Sequence, residues 1–311
     1  MITFRARLIT ILTALVLSSS ALGWNDDRLS VPVMVNGHII PYPEFAIFVM
    51  PGTPISAGFV DSGGGASVRW ANQVMNHSSR QLVAPDNPGL EVLEITDHAT
   101  GESCVISVFT MVPAANVGKN GRLNGYRIGR YPDEPLRGLD IYLPPNGFVE
   151  VTSKNRHTKV SPNFTLGEFV SKQESGYPKY VVLRSSLLLK LENILATLNL
   201  QGYPTDGFVI MSGYRTPFYN RAIGNVQYSR HVWGGAADVF INNSPIDGKM
   251  DDLNKDGKVN RADARWLADF IENMYEQGSF GPRVGGVGVY GSNSAHGPFV
   301  HIDVRGTRAR W

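Results

Sequence analysis

The chain of 311 residues is long enough to bury a sizeable core in one or two domains. Hydrophobic residues make up 42% and charged residues 18% of the chain, as is typical of globular proteins, and 33 glycines with 19 prolines favour a β-rich or mixed fold with many turns. The formal net charge of +2 is too small to indicate nucleic-acid binding, so no nucleic-acid partner is predicted.

Residues 1–23 have the pattern of a signal peptide. Arg5 and Arg7 form a basic start, an apolar run follows from Leu8 to Ser20, and Ala21-Leu22-Gly23 offers small residues for cleavage. The apolar run is short for a membrane span, although an uncleaved anchor is the alternative. No later segment is apolar enough to span a membrane, so we expect a mature protein that is periplasmic or secreted.

Cys104 is the only cysteine of the chain. It excludes an intramolecular disulfide and a metal site built from several thiolates. An exported chain of this kind must be stabilised by its core, its size or bound metal ions.

Residues 24–160 are predicted to form an all-β domain. Short β-branched or aromatic runs alternate with turn-forming clusters rich in Gly, Pro, Asn and Asp. The runs are VPVMV, FAIFVM, LEVLEI and CVISVFTMV. This pattern is typical of a small β-sandwich or barrel-like unit, and we find no catalytic cluster in it.

Residues 161–311 are predicted to form an α+β domain. Leucine and isoleucine residues between Leu187 and Leu198 recur at spacings of three and four, which predicts an amphipathic helix with one buried face. Trp266–Gly278 is a second helix candidate. Short strands are predicted at GFVIMSG, AADVF, GVGVY and FVHIDV.

Several side chains of types that can bind metal ions lie in this second half. His301 and Asp238 lie within apolar strand patterns, where an isolated carboxylate is costly to bury without a cation. His231 and His296 are the other histidines of this half, and histidine with carboxylate is a common ligand set for catalytic zinc. Each residue alone could also have a purely structural role, as a hydrogen-bonded core histidine or a strand-end aspartate.

Three motifs occur together in order: SGYRT (Ser212–Thr216), SRHxxGxAxDV (Ser229–Val239) and GPFVHIDVRG (Gly297–Gly306). Together they resemble the zinc D-alanyl-D-alanine peptidases, a group that includes the VanX-type dipeptidases and shares a fold with the hedgehog signalling domain. The resemblance covers residues 161–311. It implies that His231, Asp238 and His301 bind catalytic zinc, that Arg215 stabilises the substrate oxyanion, and that Ser229 contacts substrate.

One position departs from the VanX-type pattern. Pro298 stands where that pattern has a glutamate that serves as general base, three residues before the last ligand. His296 matches a histidine that other members of this fold superfamily carry, so it is the candidate base. A solvated loop histidine is the alternative. Asp303 is expected either to orient His301 or to pair with Arg305.

The segment 252–263 matches a calcium-binding loop of the EF-hand type. Such loops place oxygen ligands at positions 1, 3, 5, 7, 9 and 12 and a glycine, here Gly257, at position 6. The predicted ligands are Asp252, Asn254, Asp256, the Lys258 carbonyl, Asn260 and Asp263. The terminal aspartate resembles dockerin-type loops, and we predict a structural Ca²⁺ site in an insertion between the second and third zinc ligands. A plain acidic turn is the alternative.

Two functions follow from these features. The first is a zinc peptidase that hydrolyses peptidoglycan stem peptides or cross-links, as a carboxypeptidase or an endopeptidase. The second is an inactive peptidoglycan-binding protein that retains the peptidase fold, and the missing glutamate at Pro298 favours it.

Overall fold

The computed structural model describes residues 23–61, 63–70, 73–76 and 82–311. Apart from Gly23, the predicted signal peptide lies outside the described residues. None of the helices in the described part combines the length and apolarity needed to cross a membrane.

The first half of the chain forms fifteen short strands and four 3₁₀ turns, and its described residues contain no α-helix. The 3₁₀ turns are Ala114–Asn116, Leu136–Gly138, Asp140–Tyr142 and Asn155–His157. The strands are β1 (Val33–Val35), β2 (His38–Ile40), β3 (Glu44–Val49), β4 (Pro54–Ile55), β5 (Ala57–Phe59), β6 (Ala66–Trp70), β7 (Gln73–Asn76), β8 (Leu82–Val83), β9 (Gly89–Asp97), β10 (Ser103–Thr110), β11 (Val112–Pro113), β12 (Arg122–Leu123), β13 (Tyr126–Arg127), β14 (Gly147–Val151) and β15 (Lys159–Ser161).

The main sheet of this half has the order β3-β10-β9-β6-β7, and β1 lies between β2 and β5 in a smaller sheet. Alternate residues of β9 and β10 are buried, including Leu93, Ile95, Ile106 and Val108. This alternation is the period of two that places one face of a strand on a core. One pair, β3 with β10, is parallel, so the sheet is mixed.

The second half combines three α-helices with a five-stranded sheet. Its elements are β16 (Phe164–Thr165), β17 (Lys179–Val181), α1 (Ser185–Leu200), β18 (Val209–Ser212), α2 (Pro217–Ala222), β19 (Ala236–Phe240), α3 (Arg261–Glu276), β20 (Gly286–Tyr290), β21 (Phe299–Asp303) and β22 (Ala309–Arg310), with 3₁₀ turns at Leu166–Phe169 and Arg230–Trp233. The predicted strands and both predicted helices are present.

The five-stranded sheet has the order β18-β19-β21-β20-β22. Its central strands β19 and β21 are buried along their whole length, which explains why AADVF and FVHIDV are nearly continuous apolar runs. The mixed sheets and few helices agree with the α+β prediction. Polar side chains in these two strands are therefore exceptions that require partners.

Helix α1 joins the two halves. It was predicted to bury one face, but it is buried around most of its circumference, and even Lys190 and Glu192 are covered. The reason is that α1 packs against β2, β3 and β15 of the first half, while Lys190 Nζ donates a 2.7 Å hydrogen bond to the Asp303 carbonyl of β21. The predicted boundary between residues 160 and 161 stays a prediction.

Candidate metal centre

Three side chains converge in the sheet of the second half. Asp238 of β19 and His301 of β21 are direct partners across an antiparallel strand pair, so their side chains emerge side by side. His231 comes from the 3₁₀ turn that precedes β19. All three residues are buried, with at most 6% of their surface exposed.

The chain reverses sharply between His231 and Asp238, and Gly234 makes this possible. Gly234 has a φ of +62°, and a Cβ atom there would lie 2.2 Å from the Val182 carbonyl oxygen. Only glycine fits both the left-handed backbone and the close approach. The small residues between the two ligands, noted in the motif, therefore have a steric cause.

The ligand atoms of the three residues lie within hydrogen-bond distance of one another. His231 Nε2 lies 3.1 Å from Asp238 Oδ1 and 3.1 Å from His301 Nδ1, and His301 Nδ1 lies 2.9 Å from Asp238 Oδ1. Within the described ranges, these residues are the one group of three or more His, Cys, Asp or Glu side chains whose ligand atoms all lie within 4.8 Å of each other.

The outer nitrogen of each imidazole has a partner that fixes its orientation. His231 Nδ1 donates to the Gly213 carbonyl oxygen at 2.6 Å, and His301 Nε2 donates to Asp303 Oδ2 at 3.1 Å. Asp303 also binds Arg305, so both expectations for Asp303 are realised. Metal-binding histidines are held in this manner, with the inner nitrogen left as an acceptor.

This arrangement fits a zinc ion. With both outer nitrogens protonated and both imidazoles neutral, two imidazole lone pairs and a carboxylate oxygen face a common point, and three acceptors repel one another unless a metal ion or a shared proton lies between them. Their separations of 2.9–3.1 Å are close to the roughly 3.3 Å expected between tetrahedral zinc ligands. His231, Asp238 and His301 would therefore hold the ion.

The protonation of the three groups depends on their burial and mutual contacts. Burial lowers the pKa of His231, which keeps this imidazole neutral. Burial also acts to lower the pKa of His301, but hydrogen bonds to Asp238 and Asp303 outweigh it, so the pKa is raised overall. Burial would raise the pKa of Asp238, yet the two histidines hold it well below its usual range. Asp238 is therefore an ionised carboxylate.

These shifts predict how zinc binding changes with pH. In the folded protein without zinc, the pKa of His301 lies above its ordinary value of 6.5, because the protonated imidazole is bound by Asp238 and Asp303. These contacts stabilise the zinc-free protein fully below pH 6.5, and their contribution is lost as the pH rises through the folded-state pKa. Zinc requires neutral imidazoles, so its stabilisation increases in the same interval. We expect the zinc-induced rise in Tm to grow from about pH 5.5 to about pH 8, measured by thermal melts with zinc or chelator. An equal or larger rise at acid pH would contradict this prediction.

Arg215 lies beside the three ligand residues. It forms an ion pair with Asp238 Oδ2 through Nη2, and its Nε donates to Ser212 Oγ at 2.8 Å. Within the described residues, Arg215 Nη1 has no hydrogen-bond partner. Lys172 is a second basic residue nearby: burial and the charge of Arg215 lower the pKa of its ammonium group, whereas Asp238 acts to raise it.

The other predicted residues are placed as follows. Ser229 is the half-buried residue that precedes the turn bearing His231. His296 lies in the loop before β21, where Asn293 Nδ2 donates to its Nε2 at 2.8 Å and its Nδ1 donates to the Gly297 carbonyl at 2.8 Å. Its described contacts include no hydrogen bond to the three ligand residues, so its role as base stays a prediction. Pro298, at the position of the missing glutamate, is buried.

The predicted calcium loop is a tight turn that begins before α3. The side chains of Asp252, Asp256 and Asp263 accept hydrogen bonds from backbone N–H groups of the loop, and Gly257 has a φ of +83°. Asn260 and Asp263 also cap α3. Within the described ranges, no three carboxylates of the loop place their oxygen atoms all within 4.8 Å of one another. Calcium binding stays a prediction.

The sequence did not reveal a segment of the first half that packs against the His231 turn. This segment, residues 131–143, is called the strap below. Tyr142 lies on Trp233 with ring centroids 5.2 Å apart, and Trp233 Nε1 donates to the Leu143 carbonyl at 2.9 Å. Arg184 and Arg230 both donate to the Ile141 carbonyl. The recurring Tyr, Leu and Ile residues of the strap are the available signal in the sequence, but they do not identify a partner.

One known protein family matches part of the second half of the chain. The sequence profile of the family described as Peptidase M15 matches residues 162–261, a range that contains Arg215, His231 and Asp238. This family comprises zinc-dependent metallopeptidases, and the match supports a peptidase of the zinc D-alanyl-D-alanine type in the C-terminal half. No curated protein matches the chain. His301 lies beyond the matched range, and its assignment rests on its position opposite Asp238.

Proposed function

We propose that the protein is a zinc peptidase that hydrolyses peptide bonds in peptidoglycan stem peptides or cross-links, in the periplasm or outside the cell. The convergence of His231, Asp238 and His301 carries this proposal, together with the Peptidase M15 match. The signal peptide predicted at residues 1–23 and the motif resemblance support the proposed location and substrate class.

When bound, zinc supplies Lewis acidity, which acidifies water and polarises a peptide carbonyl. The residues of the chain contribute positioning and charge. Asp303 and the Gly213 carbonyl fix the two imidazole rings, and Asp238 fixes Arg215. Arg215 Nη1 remains free to donate to the substrate carbonyl oxygen as negative charge develops on it.

His296 is proposed as the general base. The hydrogen bond from Nδ1 to the Gly297 carbonyl oxygen selects the tautomer with its proton on Nδ1, so Nε2 can accept a proton once it separates from the Asn293 amide. We expect His296→Ala to lower kcat by about 100-fold or more without loss of bound zinc. His157→Ala, which removes an exposed histidine of the first half, is the control and should retain activity. An unchanged kcat in His296→Ala would assign the base to another group.

The decisive experiment is digestion of intact sacculi by purified protein, with and without a chelator. Metal analysis should find one zinc per chain, and mass spectrometry of the released muropeptides should identify the bond that is cut. The products distinguish carboxypeptidase from endopeptidase action. Protein without stoichiometric zinc would overturn the proposal.

A second candidate is an inactive peptidoglycan-binding protein. Pro298 at the glutamate position and the engagement of both His296 ring nitrogens favour it. Stoichiometric zinc and sacculus binding without release of any muropeptide would select this candidate.

We also propose that the loop 252–263 binds a structural Ca²⁺ ion. Millimolar Ca²⁺ should raise the Tm, because a ligand at 100 times its Kd stabilises the folded state by about 2.7 kcal/mol. Asp256→Ala should remove this effect. Asp247→Ala is a matched control, since Asp247 accepts a similar backbone bond from Lys249 just outside the loop. A Tm that does not respond to Ca²⁺ would show that the loop is an acidic turn.

A further inference from the structure

A cavity lies at the junction of the two halves, and one of its lining residues, Gln173, hydrogen-bonds to Thr216, the residue that follows Arg215. It has a volume of about 430 Å³ and is lined by the β12–β13 hairpin, by residues 173–175 and by Phe218 and Tyr219 of α2. We propose that this cavity is a subsite for a carboxylate-bearing part of the substrate peptide. This inference rests on the proposed peptidase function and extends it to the recognition of charge.

The hairpin is strongly basic. The segment 119–130 contains Lys119, Arg122, Arg127 and Arg130 and no acidic residue. Within the described part of the chain, none of these four side chains forms an ion pair with a carboxylate. Arg122 and Arg127 line the cavity, so two guanidinium groups border it without an anionic partner.

The side chain of Arg127 is arranged to receive a ligand. Its guanidinium lies over the Phe218 ring, 4.8 Å from the centroid. Stacking on an aromatic face restrains the guanidinium plane and leaves its N–H edges available for hydrogen bonds. Arg122 uses Nη1 for the Gly125 carbonyl, which ties this side chain to its own hairpin. Paired guanidinium donors match the geometry of a carboxylate.

Direct hydrogen bonds hold the cavity beside Arg215. Gln173 accepts a hydrogen bond from Thr216 Oγ1 at 2.8 Å and donates to the Arg127 carbonyl at 3.0 Å. Phe218 N donates to the Ile128 carbonyl at 3.0 Å. Thr216 directly follows Arg215, so one buried glutamine connects the hairpin to the turn that carries the predicted oxyanion-binding residue.

A close backbone approach strengthens this junction. Gly129 has a φ of +86°, and a Cβ atom there would lie 2.6 Å from Phe218 N. The hairpin and α2 are therefore in backbone contact, and the cavity has rigid walls rather than mobile side chains alone.

The charges of the cavity indicate the chemistry of the ligand. Glu174 also lines the cavity and adds one negative charge to a lining that contains the two arginines. A peptide segment that presents a carboxylate to Arg122 and Arg127, and an amine or amide donor to Glu174, would be complementary. Stem peptides carry free carboxylates, so the subsite would bind one of them while the scissile bond lies at the metal centre.

The test compares two forms of one stem peptide, with its side carboxyls either free or amidated. We expect wild-type protein to prefer the free acid by about tenfold in kcat/KM, as the loss of a charge-assisted hydrogen bond predicts. The double variant Arg122→Gln/Arg127→Gln should lose this preference. Lys119→Gln/Arg130→Gln removes equal charge from the same segment outside the cavity and should keep it.

Direct binding separates failure of the subsite from failure of the proposed function. If wild-type protein cleaves neither peptide, calorimetric titration of the zinc-loaded protein with both peptides gives the same comparison. Preference for the free acid that disappears in the double variant supports the subsite. Equal affinity for both peptides, no affinity for either, or an equal loss in the control pair overturns it. If the double variant misfolds, Arg127→Gln alone is used, since among the described residues the Arg127 side chain stacks on Phe218 and makes no hydrogen bond or ion pair.

Discussion

Asp238→Ala is expected to abolish stoichiometric zinc binding. Asp238 faces both histidines and Arg215, so its removal deletes one ligand and releases the arginine. Substitution of a residue that only hydrogen-bonds to a metal ligand lowers metal affinity by about 10- to 100-fold. Loss of a ligand itself should have a larger effect. The zinc content per chain and kcat/KM on a stem peptide should fall together.

A second buried carboxylate provides the control for this variant. Asp97, at the end of β9, is 1% exposed and accepts a hydrogen bond from Ala99 N, far from the metal centre in the sequence. Asp97→Ala should lower the Tm but retain zinc. If Asp238→Ala keeps one zinc per chain, the assigned ligand set is wrong.

Arg215→Ala is expected to lower kcat by about 100- to 1,000-fold at saturating zinc. This is the usual cost of removing one donor that stabilises a developing oxyanion. Because Arg215 also binds Asp238, zinc affinity should fall by about 10- to 100-fold, which excess zinc compensates. Steady-state kinetics with measured zinc occupancy separate the two effects.

Arg215→Lys is the informative companion to this variant. Lysine keeps the charge but lacks the planar guanidinium that binds Ser212 and Asp238 at the same time, so partial activity is expected. Equal kcat in wild-type protein and Arg215→Ala would show that Arg215 only positions Asp238.

Much of the second half could be predicted from the sequence. The apolar runs around Asp238 and His301 indicated buried strands, and two buried polar residues in such runs implied partners. Strand alternation placed Asp303 on the face of His301, and the observed hydrogen bond agrees. The ordered motifs supplied the link between His231 and the two strand residues.

The junction of the two halves could not be predicted in this way. The Tyr131 hydroxyl contacts the Tyr214 hydroxyl and the Val232 carbonyl, across 83 and 101 residues of chain. Periodicity reports which face of an element is buried but not what covers it. The same limit explains why α1 was predicted to have one buried face although it is enclosed on most sides.

The strap has a thermodynamic consequence for the metal centre. It packs on Trp233, two residues after His231, so its docking and the position of that imidazole are energetically linked. Coupling free energies are reciprocal: if a docked strap favours zinc binding by some factor, bound zinc must favour the docked strap by the same factor. With such a coupling, the first half of the chain would contribute to metal affinity, and metal binding would in turn stabilise the packing of residues 131–143 on Trp233.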